Sequence, residues 1–334
     1  MLKRGIQIIV VLGVLFLGVC AAVCFYIQRP YFVEPKEIEI AEGMTLRQIA
    51  HRLQEESVIP NATVFIFYAY AHQSANSLKA GEYRFEGVTR LSVVLDRLVL
   101  GEVLLHAIRV IEGWTYREIA QSVTALPFVA GPNFAENFIQ LCEDRSILNS
   151  FQISAPTCEG SLFPNTYHVR KGITARDFLF LLIRQFQTVY AEQIASRAEL
   201  SGRTQKDIVT LASLIEKETG VAEERVLVSS VLRNRLKKNM LLQIDPTIIY
   251  GLKNFNGNIR KTDISNPHPY NTYVHAGLPP GAICNPGLAS LLAAVMPAET
   301  TYLYFVSKND GTHFFSSTLE EHQAAVWKYQ KSSK

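Results

Sequence analysis

No run of Lys or Arg in this chain exceeds a pair, and 33 basic against 30 acidic residues leave a net charge of only +3 over 334 residues. A nucleic-acid-binding face needs a basic stripe, so that class of partner is set aside. Cysteine is scarce too, five residues with no Cys-x-x-Cys pair and no Cys/His spacing suited to zinc. His268, His275, His313 and His322 show no metal-ligand spacing, and no Gly-x-Ser-x-Gly elbow marks a serine hydrolase. Neither a metal nor a cofactor is expected. What is present, 48% hydrophobic and 19% charged residues, is ordinary globular material, enough for one large domain or two modest ones.

At the N-terminus Lys3 and Arg4 precede an uncharged, Val/Leu/Ile-rich stretch from Gly5 to Ile27. Roughly 20 apolar residues cross a bilayer core, and basic residues ahead of the span hold the N-terminus in the cytoplasm. Residues 1–30 therefore read as a single-pass anchor in the plasma (inner) membrane, with the rest of the chain outside. A cleaved signal peptide would end in a small-x-small site, whereas Ala21 and Ala22 lie inside the apolar run. A lipidated cysteine usually follows a small residue, whereas Cys20 and Cys24 each follow Val. That leaves Cys142, Cys158 and Cys284 in the exported part; the odd number allows at most one disulfide, and no structural dependence on it is expected.

Three segments share a pattern: Ile38 to Thr45, Tyr83 to Thr89 and Ile108 to Thr115 each read as a short strand, a Glu-Gly turn and a Thr placed to cap a helix. Thr45 with Gln48 and Thr115 with Glu118 form capping boxes, while Thr89 has Ser92 in that place. Helices are expected over Leu46–Glu55, Leu91–Leu98 and Tyr116–Val123. The units are either a plain α+β scaffold or a LysM-like strand-helix module that touches glycan, occupying about residues 36–125. The polar stretch from Gly131 to Gly160 reads as an irregular connection. A second α+β lobe, about 155–330, follows with helices over Asp177–Tyr190, Gln205–Thr219 and Val221–Lys238, Pro/Gly-rich loops beyond Met240, a strand at Tyr302–Val306 and a helix from Leu319.

The helix Gln205–Thr219 carries the most informative run. At about 100° per residue, Leu211, Leu214, Ile215 and Glu218 share one face. Glu218 thus continues an apolar stripe, where desolvation raises a carboxyl pKa towards what a general acid for glycoside cleavage needs. The plainer alternative turns Glu218 to solvent or pairs it with Arg225. Glu216 and Lys217 read as a solvated charged face. Downstream, Gln243 and Asp245 in Gln-Ile-Asp-Pro-Thr, and Asn271 and Tyr273 in Tyr-Asn-Thr-Tyr, sit in loops suited either to a sugar cleft or to loop packing. Rings stack on pyranose faces and amides bind hydroxyls and N-acetyl groups.

Glu216-Lys217-Glu218-Thr219, Asn234-Arg235-Leu236, Leu242 to Thr247, Tyr270 to Tyr273 and Gly277-Leu278-Pro279-Pro280-Gly281 together resemble the MltG/YceG-like endolytic murein transglycosylase family in order and spacing. Glu159-Gly160-Ser161-Leu162-Phe163-Pro164-Asn165-Thr166-Tyr167 is similar to a further family segment, with Asn165 where the pattern has Asp. The resemblance implies a LysM-like first region, a catalytic lobe, Glu218 as the acid/base, and Glu159 and Tyr167 among the substrate-binding residues. It also implies non-hydrolytic cleavage of peptidoglycan to 1,6-anhydro ends, with nascent glycan strands and wall-synthesis enzymes as partners. One carboxyl group suffices when the sugar's own C6 hydroxyl attacks; were a second involved, Asp245 or Glu159 would supply it. A hydrolytic muramidase and a non-catalytic peptidoglycan-binding scaffold are the rival functions.

Overall fold

A helix of 27 residues, α1 (Leu2–Gln28), opens the computed structural model, which describes residues 2–252 and 255–331. The side chains of Lys3, Arg4 and Cys20 lie outside the described residues. Among the described residues, no helix is long and apolar enough to cross a membrane. The chain divides into two compact units, Met1–His106 with His168–Lys171, and Ala107–Tyr167 with Gly172–Lys334.

In the first unit β1 (Tyr31–Ile40), α2 (Leu46–Glu55), α3 (Ala62–Ala71), β2 (Gly81–Thr89) and α4 (Leu91–Leu100) follow one another, and β3 (Leu105–Arg109) leads out. Strands β1 and β2 are antiparallel, with Ile38 opposite Tyr83 and Ile40 opposite Gly81. The register slips between Val33 and Lys36, where Pro35 has no N–H to give the ladder. Period-two alternation turns Val33, Ile38, Ile40, Tyr83 and Phe85 inward. They meet Leu46, Ile49, Ala50 and Leu53 of α2, the i, i+3, i+4, i+7 stripe of an amphipathic helix, and Leu91, Val94, Leu95 and Leu98 of α4. Burying each large side chain stabilises the unit by roughly 1.5–3 kcal/mol before chain entropy is counted. Ile27, at the end of α1, belongs to this same core.

Both expected capping boxes form: Gln48 N–H donates to Thr45 Oγ1, and Glu118 N–H to Thr115 Oγ1, with the reciprocal bonds in place. Thr89 does not cap a helix. It ends β2, and Arg90 is the uncapped start of α4, for which Ser92 offers no return bond.

The second unit comprises α5 (Tyr116–Thr124), α6 (Phe134–Glu143), α7 (Arg145–Ser150), the start of β4 (Thr166–Arg170), whose His168 to Arg170 fall in the first unit, α8 (Ala175–Val189), α9 (Ala195–Ser201), α10 (Gln205–Glu218), α11 (Arg225–Lys237), α12 (Asp245–Gly251), α13 (Lys261–Ile264), α14 (Leu288–Val295), the antiparallel pair β5 (Tyr304–Ser307) and β6 (His313–Ser316), and α15 (Leu319–Val326). Residues 131–160 are thus not an irregular connection. Phe134, Phe138 and Cys142 form an i, i+4, i+8 stripe amid polar residues, and they bury α6 against Phe178 of α8. The one disulfide that the cysteine count allowed joins Cys142 to Cys158, and Cys284 is free and buried. At the centre lies α10, whose residues Ile208 to Ile215 are all buried. Among its neighbours are Leu291 and Ala294 of α14 and Val228 and Leu232 of α11. Its first turn, Gln205 to Asp207, and its last, Glu216 to Glu218, come to the surface.

Candidate active site

That last turn ends at Glu218. Thr219 leaves the helix in an extended conformation, and its Oγ1 donates to Glu224 at 3.1 Å while accepting from Val221 N–H. Glu224 also takes His313 N–H at 2.7 Å and lies 2.7 Å from His313 Nδ1. Burial pushes the Glu224 carboxyl up, but the bonds from His313 and Thr219 outweigh it and hold the carboxyl below its ordinary range. The end of α10 is thereby tied to β6 through the Glu224 carboxyl.

Glu218 itself opens onto a cleft of about 380 Å³, shared with Lys217, Arg235, Gln243, Asp245 and Tyr273. Its carboxyl has no hydrogen-bond or ion-pair partner among the described residues. Burial pushes its pKa up to about 8, the charge of Asp245 adds to the rise, and Arg235 opposes it. Glu218 is therefore mostly protonated at neutral pH, the state a general acid requires. Asp245 stands at the start of α12 and accepts from Tyr273 Oη at 2.5 Å.

The two loops that carry these groups are stapled together. Gln243 N–H donates to Thr272 O and Ile244 N–H to Thr272 Oγ1, and the Thr247 and Thr272 hydroxyls are 2.9 Å apart. Gln243 takes a left-handed backbone conformation, φ 53°, at this junction. The Arg235 guanidinium donates to the Leu303, Leu241 and Leu242 carbonyls and to Gln243 Oε1, which fixes α11 to the same loop.

Of the residues singled out in the sequence, the fold brings Glu218, Gln243, Asp245 and Tyr273 together at this cleft. It places the other three elsewhere. Asn271 is buried, its amide donating to Ile264 O and Asn266 O and accepting from Tyr273 N–H, so it holds the loop that presents Tyr273. Tyr167 is buried beside Phe178 and donates to Phe163 O. Glu159, 2% exposed, accepts from Tyr116 N–H and Asn285 Nδ2 on one oxygen and from the Tyr250 hydroxyl on the other. Burial pushes Glu159 up to about 8 against those donors.

Glu216 is not on a solvated face. It accepts from Gly287 N–H at 3.0 Å and lies 3.8 Å from Arg225, because both sides of α10 are covered. Arg225 is thus the partner of Glu216, not of Glu218. No pattern in the sequence assigns a role to Arg235, His322, Glu224 or His313. Arg235 lay in the Asn-Arg-Leu motif, whereas no spacing joins the others to Glu218. Among the described residues, no group of three or more His, Cys, Asp or Glu side chains is arranged to hold a metal ion.

Comparison with known proteins gives this geometry a context. The model of the YceG-like family matches residues 38–328. A Bacillus subtilis protein named endolytic murein transglycosylase is 31% identical over 311 residues, covering 88% of this chain and 85% of that protein. A Streptococcus pneumoniae protein of the same name is 26% identical over 326 residues, and the chain spans only 58% of its length. The crystal structure of a YceG-like protein from Listeria monocytogenes aligns with a TM-score of 0.60 and 28% identity, over 87% of this chain and 98% of that one. A family match over most of its length, with one relative above 30% identity, establishes that this chain belongs to the YceG-like family.

Proposed function

We propose that the chain is an endolytic murein transglycosylase with Glu218 as its acid and base. The observation that carries the reading is a carboxyl group with a pKa near 8, free of protein partners, opening onto a polar cleft. In the forward step protonated Glu218 gives its proton to the glycosidic oxygen between N-acetylmuramic acid and N-acetylglucosamine. The C1–O bond then breaks and the N-acetylglucosamine leaves as an alcohol. The C6 hydroxyl of the same muramic residue attacks C1, and the Glu218 carboxylate takes the hydroxyl proton. No water is consumed, Glu218 is regenerated protonated, and the product carries a 1,6-anhydro ring. Intramolecular attack makes a second catalytic carboxylate unnecessary. Burial, with the charge of Asp245 adding to it, keeps Glu218 protonated, and Gln243, Asp245 and Tyr273 bind sugar hydroxyls and N-acetyl groups.

Asp245 beside Glu218 also supports a second reading, a two-carboxylate muramidase in which Asp245 activates water. Mass spectrometry of glycan strands incubated with the chain in detergent separates the two. Anhydro ends are expected; ends heavier by one water would overturn the transglycosylase assignment.

The proposal extends to location. The sequence from Gly5 to Ile27, several of whose side chains lie outside the described residues, is uncharged and apolar, and about 20 such residues in a helix cover a bilayer core, so residues 1–30 are read as a single membrane anchor behind cytoplasmic Lys3 and Arg4. The Cys142–Cys158 disulfide supports an oxidising, extracytoplasmic setting for the rest. Residues 36–125 are proposed as the LysM-like region and 155–330 as the catalytic one, acting on nascent strands beside wall-synthesis enzymes.

A further inference from the structure

Two groups lining the cleft have side chains without a hydrogen-bond partner among the described residues, Glu218 and His322 of α15. The His322 ring stacks on Tyr304, centroids 5.2 Å apart and planes 23° from parallel. The Arg235 guanidinium lies over Tyr304 as well, 5.3 Å from its centroid. His322 Nδ1 is buried and unpartnered. An orphaned N–H is costlier than an unused lone pair, so the ring proton belongs on Nε2, which is not among the buried, unpartnered atoms, on a ring that lines the cleft. Burial, with Arg235 nearby, holds the imidazole below its ordinary pKa, so it is neutral at neutral pH and offers a single donor. Uncharged sugar oxygens match such a donor, and the ring is already fixed by its stack, so little side-chain entropy is lost on binding.

We propose that His322 is a substrate-binding residue of this cleft, its Nε2–H donating to an uncharged oxygen, hydroxyl or N-acetyl carbonyl, of the sugar seated against Glu218. The inference rests on the transglycosylase reading and adds a contact from the C-terminal helix to it. His322→Phe keeps a ring to stack on Tyr304 and removes the donor, whereas His322→Gln keeps an N–H donor and gives up the ring. Glycan affinity is measured with the full-length chain in detergent, in a Glu218→Gln background where strands bind without being cut. Cleavage kinetics are measured in the native background.

The Phe variant is expected to bind purified glycan about tenfold more weakly and to lose about tenfold in kcat/KM, chiefly through KM, the equivalent of one hydrogen bond. Its melting temperature should not fall, since an unpartnered buried nitrogen has been removed. The Gln variant should recover affinity to within about threefold, as one retained hydrogen bond allows. Unchanged affinity in His322→Phe overturns the proposal, as does a loss accompanied by a lower melting temperature that Gln fails to restore. If the native chain cuts no glycan and Glu218→Gln binds none, the transglycosylase reading itself falls, and this inference with it. Normal cleavage with an indifferent His322→Phe sinks this inference alone.

Discussion

Raising the pH from 7 to 9 should switch the proposed cleavage off through one proton. With a pKa of about 8, Glu218 is about 90% protonated at pH 7 and about 10% at pH 9. An ordinary carboxyl near 4.5 would be about 0.3% protonated at pH 7, so burial and the Asp245 charge together raise the competent form about 300-fold. Initial rates on soluble glycan strands, scored by anhydro ends, should therefore hold from pH 6 to 7.5 and then fall about tenfold per unit once well above the Glu218 pKa. Asp245→Asn removes the negative charge that adds to the shift while keeping an oxygen to accept from Tyr273. Its alkaline limb should move to lower pH. A limb that does not move in Asp245→Asn, or a native rate that already falls near pH 5, would refute the reasoning.

Stability should carry the same signature. The folded state holds the Glu218 proton up to about pH 8 while the unfolded chain releases it near 4.5, so native stability falls across that window. Glu218→Gln is free of this penalty, and its advantage in urea melts should grow by about 2–4 kcal/mol from pH 5 to pH 8; a constant gap would contradict the shift. Glu159→Ala leaves Tyr116 N–H, Asn285 Nδ2 and the Tyr250 hydroxyl unanswered and should cost at least about 3 kcal/mol in denaturant unfolding, whereas Glu159→Gln should cost far less. Gly160→Ala forces a Cβ to within 2.5 Å of Val209 Cγ1 and 2.6 Å of Ala282 Cβ at φ +83°. It should lower stability by about 2 kcal/mol or more, and a melting temperature equal to the native one would show that the neighbours yield.

The legible parts of this molecule were those written in local chemistry. Gly43 and Gly113 turn with positive φ just where the Glu-Gly pairs end their strands, and Thr45 and Thr115 cap the helices that follow. The desolvation of Glu218 was legible because the residue extends an apolar helical stripe. Helix α3, Ala-Thr-Val-Phe-Ile-Phe-Tyr-Ala-Tyr-Ala, gave no signal because apolar residues surround it on every side and leave no period to read. Glu216 departs from the solvated face its neighbours suggest because its covering groups, Gly287 N–H and Arg225, arrive from distant segments. Distance along the chain also hid the pairing of Cys142 with Cys158 and the bond between Glu224 and His313. Asn271 and Glu159 show a further limit: the sequence announces a polar group but not whether it faces a cleft or braces a loop.

The most direct test of the central claim is product mass spectrometry of glycan strands treated with the native chain and with Glu218→Gln, alongside circular dichroism of both. The native protein should release strands ending in 1,6-anhydro-N-acetylmuramic acid, and the variant, folded alike, should release none. Anhydro ends from a folded Glu218→Gln protein would show that another group supplies the proton.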